Sequence, residues 1–254
     1  MTTRLTITGL MKQFGGVVAA DDINLDFAAG SLSAVIGPNG AGKTTLFNLI
    51  TGRLRPDRGR ILLDGRNIVG LDEAAIVRAG IARAFQVTSL FLRLTVEQSL
   101  VCAVQSHQRQ SHQIFRRFPL PEARRRAQGI MELLGLGASA NRLSHNLSHG
   151  DQKLLDIALA LAMEPQVLLL DEPTAGMGQS ERWQMIERVR GMWSRQKMTL
   201  IFIEHDMDIV FQVAQSVRVL HHGTVLAEGT PQEIRANPAV VEAYLGSRRL
   251  GSAS

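Results

Sequence analysis

The run Gly37-Pro38-Asn39-Gly40-Ala41-Gly42-Lys43-Thr44 constrains this chain more than any other feature. It matches G-x-x-x-x-G-K-[ST], a loop that wraps phosphate. Its context fits: the apolar residues 32–36 precede it as a short strand, and Leu46, Phe47 and Ile50 follow at helical spacing until Gly52. Each residue type has a physical reason. Glycines let the backbone curl so that several N–H groups converge on phosphate oxygens. A helix starting near Gly42 adds its positive N-terminal end. Lys43 is a point charge for the β- and γ-phosphates, Thr44 offers a hydroxyl to Mg²⁺, and Thr45 reaches the α-phosphate.

A second feature is Val167-Leu168-Leu169-Leu170-Asp171-Glu172. Four apolar residues and two carboxylates describe a buried parallel strand running to the carboxyl edge of a sheet, where ligands bind. Asp171 is expected to hold Mg²⁺ and Glu172 to accept a proton from water. Acidic strand ends are common, so this pair carries weight only behind the phosphate loop.

The other elements follow the same logic. Residues 4–8 and 23–27 alternate as strands, and residues 61–63 between Gly59 and Asp64-Gly65 read as half of a hairpin. From residue 87 to 159 the pattern turns helical and rich in Arg, Gln and His; residues 121–134 form a helix with the stripe Ile130, Leu133 and Leu134. Strand–helix alternation then resumes. Helices are expected at residues 154–162, 181–193, 231–235 and 239–245, a buried strand at 200–203, and a hairpin at 217–220 and 224–227. This predicts an α/β fold in a single domain spanning residues 1–254. Residues 1–86 and 160–246 form the core with an N-terminal antiparallel β sub-domain. Residues 87–159 form an inserted α-helical sub-domain, and 247–254 a disordered tail.

Composition narrows the function. No stretch reaches the roughly 20 apolar residues that span a bilayer, and the N-terminus lacks the apolar core of a signal peptide, so a cytoplasmic location is expected. The single Cys102 makes no internal disulfide and no thiolate cluster, and reads as a small residue on a helix. The net charge of +5 gathers at Arg116-Arg117 and at Arg124-Arg125-Arg126. A solvated helix face accounts for these runs, with a surface near lipid headgroups as the alternative. Few aromatics interleave with them, which argues against single-stranded nucleic acid.

On these residues the chain resembles the ATP-binding subunits of ABC transporters along nearly its whole length. Leu147-Ser148-His149-Gly150-Asp151-Gln152 is similar to the signature usually reading LSGGQ, Gln86 matches the Q-loop, and His205 the switch histidine. Phe14 matches the aromatic that stacks on adenine, and Ala175-Gly176-Met177-Gly178 the D-loop. The resemblance implies a P-loop NTPase core with a mainly parallel sheet flanked by helices. It implies ATP and Mg²⁺ as cofactors, with a second ATPase subunit, membrane permeases and, indirectly, a solute-binding protein as partners. In such proteins two subunits sandwich two ATP molecules head to tail. The site thus comprises Phe14, Gly37, Pro38, Asn39, Gly40, Ala41, Gly42, Lys43, Thr44 and Thr45, with Ser148 and Gly150 acting on the partner's nucleotide. Thr44, Gln86 and Asp171 would hold Mg²⁺, and Lys43, Gln86, Glu172 and His205 would act in catalysis.

Three positions depart from the pattern: His149 and Asp151 in the signature, and Gly178 at the end of the D-loop. Among transporters, Phe14-Gly15-Gly16, residues 81–86, Leu94-Thr95-Val96, Ala175-Gly176-Met177 and Ala243-Tyr244-Leu245-Gly246 resemble the branched-chain amino acid importers, and Leu147-Ser148-His149-Gly150 also the urea importers. The resemblance implies a peripheral protein at the cytoplasmic face of the inner membrane. A lipopolysaccharide exporter ATPase is a further alternative. A nucleic-acid-associated ABC protein fits less well, because this chain has one phosphate loop and no sustained heptads.

Overall fold

The computed structural model describes residues 3–84, 92–107 and 121–250. Two sheets organise it. Strands β1 (Thr3–Phe14), β2 (Val17–Ala28), β4 (Arg58–Leu63) and β5 (Arg66–Asn67) form an antiparallel sheet in the order β2-β1-β4-β5. Strands β3 (Leu32–Ile36), β6 (Ile81–Ala84), β7 (Val167–Asp171), β8 (Thr199–Ile203), β9 (Ser216–His221) and β10 (Thr224–Gly229) form the second, in the order β10-β9-β3-β8-β7-β6. Only β10 runs antiparallel to its neighbour there.

Successive side chains of a strand point to opposite faces, and here the two faces bury different partners. Val35, Leu169, Ile201, Ile203 and Leu220 pack with the antiparallel sheet and with Leu46, Phe47 and Ile50 of α1 (Lys43–Ile50). Ile36, Leu168, Leu170, Leu200 and Phe202 pack with the remaining helices. These are α3 (Val96–His107), α4 (Pro121–Leu134), α5 (His149–Leu161), α6 (Gln179–Gln196) and α7 (Met207–Val213). Helices α2 (Glu73–Ala79), α8 (Pro231–Ala236) and α9 (Pro238–Leu250) complete the chain. Arg218 of β9 joins the two sheets: its guanidinium lies 4.4 Å from the Phe27 ring, and it donates to the Asp26 carbonyl.

The stripe of α4 is Ala123, Ala127, Ile130, Met131 and Leu134, with Leu133 only partly buried. Positions 127, 130, 131 and 134 follow the i, i+3, i+4, i+7 rule, whereas 133 falls off that face. Helix α9 continues to Leu250, four residues into the segment expected to be disordered. Extending a helix already nucleated at Pro238 costs far less than starting one. The expected helices at 154–162 and 181–193 start earlier, at His149 and Gln179.

The basic runs are partly resolved by pairing. Arg124 meets Glu97 at 2.7 Å, linking α4 to α3, and Arg126 meets Glu164 at 2.5 Å, linking α4 to the loop after α5. Arg116 and Arg117 lie outside the described residues.

Candidate functional site

Strands β3, β8 and β7 are neighbours, so their carboxyl ends share one edge of the sheet. That adjacency assembles the site. The loop of residues 37–42 leaves β3 there. At Gly37, with φ 153°, an added Cβ would sit 2.2 Å from the Leu220 carbonyl oxygen, and at Gly42 it would sit 2.5 Å from that of Ala19. Ala41 donates its N–H to the Pro38 carbonyl at 3.1 Å, closing the turn, while Asn39 and Gly40 are exposed. Gly42 caps α1 with no side chain, and the first turn of that helix holds no acidic residue. Its leading N–H groups therefore form an anion cradle of backbone donors and positive helix end.

Lys43 is buried, and its Nζ donates to the carbonyls of Gly37 and Pro38 at 2.7 and 3.0 Å. Burial pulls its pKa down, and the charges of Glu172 and Asp171 act against that shift. Thr44 is exposed and Thr45 half-buried on the same turn. Phe14 ends β1 with its ring 44% exposed and Lys12 Nζ 5.5 Å from the ring centre. It pairs with Val17, and two residues on the Ala19 carbonyl lies against Gly42, so the hairpin end sits beside the phosphate loop.

Asp171 closes β7 and forms a partly buried ion pair with Arg83 of β6, through Oδ2. Arg83 also donates to Asn48 Oδ1 of α1 at 2.7 Å and lies 5.7 Å from the Phe47 ring. Sequence reasoning passed over Arg83, although it is the only charged residue in the strand Ile81–Ala84. Glu172 follows with left-handed backbone, φ 49°, and donates its N–H to the Ile203 carbonyl at 3.0 Å. Its Oε1 meets His205 Nε2 at 2.7 Å. Two residues expected separately, the proton acceptor and the switch histidine, are thus one hydrogen-bonded pair.

The hard oxygen donors here, the Thr44 hydroxyl and the Asp171 carboxylate, suit Mg²⁺, which takes few protein carboxylates and fills its octahedron with phosphate and water. No cluster of three or more His, Cys, Asp or Glu side chains arranged for a metal occurs among the described residues. Gln86, the remaining expected ligand, lies outside the described residues.

The signature segment forms the first turn of α5. Ser148 is the N-cap, and its Oγ accepts the N–H of Asp151 at 3.1 Å. Its hydroxyl is therefore already engaged in capping. Asp151 stands 4.0 Å from Arg188. His149 Nε2 lies 3.3 Å from the Ala175 carbonyl oxygen. A Cβ on Gly150 would rest at 3.8 Å from Met177, so the signature packs on the D-loop of its own chain. Gly178 is the N-cap of α6, and its N–H donates to the Glu181 carboxylate at 3.2 Å. Lys153 and Glu204, both missed in the sequence, hold the turn after Glu172; each was adjacent to a motif already noted.

Behind this edge, a largely apolar cavity of about 340 Å³ opens between α2 and β6 on one side and α3 and α5 on the other. Ile76, Ile81, Cys102, Leu155 and Asp156 are among its lining. Burial raises the Cys102 thiol, so it is no activated nucleophile. Burial also pushes the Asp156 carboxyl up to about 7, against the pull of Lys153. An acid raised in the folded state loses stability as pH climbs from its unfolded value, near 3.8, to its folded one, and stays penalised above it. Asp156→Asn removes that penalty. Thermal melts of the isolated subunit should show a higher Tm for the variant at pH 8 and little difference at pH 4.5.

Residues 20–175 match the model of the ABC transporter family, and residues 224–249 match that of the branched-chain amino acid ATP-binding cassette transporter. The chain is 40% identical over 250 residues to the high-affinity branched-chain amino acid transport ATP-binding protein LivG of Escherichia coli K12, covering 95% of this chain and 97% of that one. It is 37% identical over 249 residues to BraF of Pseudomonas aeruginosa, with 95% and 97% covered. The crystal structure of an ATP-binding cassette of an ABC transporter in its ADP conformation superposes with a TM-score of 0.86 at 29% identity, covering 97% of this chain and 100% of that one. No helix among the described residues is long and apolar enough to cross a membrane. The chain belongs to the ABC transporter family, as an ATP-binding subunit that hydrolyses ATP.

Proposed function

We propose that this subunit powers import of branched-chain amino acids, working as a head-to-tail ATPase dimer on the cytoplasmic face of permease subunits fed by a solute-binding protein. The observation that carries the ATPase half is the Glu172–His205 pair at 2.7 Å on the same sheet edge as Lys43 and Asp171. The cargo rests on the match at residues 224–249 and on the relatives' shared role.

The residues divide the work. Phe14 stacks on the adenine, and the backbone of residues 37–45 grips the phosphates. Lys43 moves from the Gly37 and Pro38 carbonyls onto phosphate oxygens, an exchange of acceptors that keeps the buried ammonium paired. Thr44, Asp171 and Gln86 would hold Mg²⁺, which would supply charge neutralisation at the phosphates. Glu172 takes the proton of the attacking water, and His205 holds the carboxylate in place while its ring faces the γ-phosphate. Catalysis of this kind is positioning and electrostatics rather than covalent chemistry. Ser148, Gly150 and the start of α5 complete the partner's site, with the helix end as the anion donor. The apolar cavity beside Asp156 supports a docking face for the permease.

The test is reconstitution with the permease and solute-binding protein in proteoliposomes. Leucine, isoleucine or valine should stimulate ATP hydrolysis severalfold. Stimulation by urea but by none of the three would overturn the cargo reading.

A further inference from the structure

Glu172 carries a side chain in the left-handed region, φ 49°. A residue keeps such a conformation only where its surroundings over-determine it. Two groups outside the established motifs do so here. Lys153, one turn into α5, donates its Nζ to the carbonyls of Glu172 and Ala175, each at 2.9 Å. Glu204 is 4% exposed. Its Oε1 accepts both the N–H and the Oγ1–H of Thr174, at 2.9 and 2.7 Å, and its Oε2 accepts the N–H of His205 at 3.2 Å. The turn of residues 172–175 is thus gripped from two sides. The carboxylate that holds it also fixes the backbone of the histidine paired with Glu172.

We propose that Glu204, together with Lys153, is a positioning clamp that sets the backbone of Glu172 and the place of His205 for water activation. The idea rests on the reading of Glu172 as proton acceptor. Burying a carboxylate is costly unless its oxygens are filled with donors. Glu204 has three donors, split between the two loops whose side chains meet at 2.7 Å. Lys153 lies near enough for the Glu204 charge to support its ammonium against burial. Because Lys153 sits on the helix begun by Ser148, the clamp also joins the signature to the proton acceptor of the same chain. A bound nucleotide that shifts the start of α5 would then be felt at Glu172.

Glu204→Gln tests this in the purified full chain. The amide is isosteric but has only one accepting end, so one of the two loops loses its anchor. The expected result is a kcat about tenfold lower with KM for ATP within about twofold, the split that misplacement of a catalytic group produces. A merely structural loss lowers the active fraction and the melting temperature instead, and melts of each variant separate the two. In the background of His205→Ala, Glu204→Gln should slow turnover by no more than about twofold further, since residues acting as a unit are not additive. If Glu204→Gln does not fold, Thr174→Val removes one donor and keeps the N–H, and kcat should fall about threefold. An unchanged kcat in the folded variant, or losses that multiply fully with His205→Ala, overturns the clamp. Glu172→Gln run alongside separates the two ideas. If it stays active while Glu204→Gln is slow, the proton-acceptor reading fails and the clamp as stated fails with it. If it is inactive while Glu204→Gln is normal, only the clamp fails.

Discussion

Glu172→Gln is expected to lower ATP turnover by at least about 100-fold while leaving ATP affinity within severalfold of wild type. The substitution keeps shape and backbone demand: both side chains meet the same left-handed φ of 49°. An amide oxygen can still meet His205 Nε2, now at 2.7 Å from Oε1. What the amide cannot do is take a proton from water. Lys43 and the helix end, proposed above to grip the phosphates, are untouched, so binding and chemistry should separate cleanly. In a head-to-tail dimer, bound but unhydrolysed ATP would hold the two subunits together, and gel filtration with ATP should show a stable dimer. Phosphate-release assays and equilibrium binding check the pair of effects. Near-normal turnover would remove Glu172 from the chemistry.

The second large effect concerns folding. Gly37→Ala is expected to cost more than about 4 kcal/mol, the range of the severest single substitutions. The added Cβ would lie 2.2 Å from the backbone oxygen of Leu220, on the adjacent strand. Neither side can yield, because Ile36 is paired in register with Val219 on that strand. A loss of this size takes much of a typical domain's stability. Gly40→Ala is the control. Its Cβ would meet nothing within 4 Å, so only the φ of 79° penalises it, by about 1–2 kcal/mol. Urea denaturation of both variants decides. Equal losses would show that phosphate-loop glycines matter for backbone freedom alone; the structure instead assigns Gly37 to the packing of β3 on β9.

Much of the architecture was legible in the residues. Residues 32–36, but for Ser33, and 167–170 are apolar, which marks strands buried between layers, and β3 matches its expected span while β7 runs one residue further. The helix Pro121–Leu134 was legible because Pro121 and Gly135 bracket it. Its inner face was misjudged by one position, since an amphipathic stripe read by eye does not say which edge meets the core. The segment 207–213 was not recognised as helical; it is a short helix capped by Asp206, whose carboxylate accepts the N–H groups of Asp208 and Ile209. So short a helix draws its stability from its cap and its packing rather than from its own pattern.

The site divides in the same way. Lys43, Asp171 and Glu172 were candidates by residue type, because phosphate, metal and proton chemistry each demand a particular group at the carboxyl edge of a sheet, and His205 was a candidate through its resemblance to the switch histidine. Arg83, Lys153 and Glu204 were not. Their partners lie 88, 19 and 30 residues away, and the pairing exists only because β6 lies beside β7, α5 against the D-loop, and β7 beside β8. The sequence by itself therefore determined which chemistry this protein carries, since the reacting groups are set by local motif and element. Only the tertiary structure decided what holds those groups in place. A buried charge or hydrogen-bonding group is satisfied by whatever the packing of distant strands brings to it, and no local pattern encodes that choice.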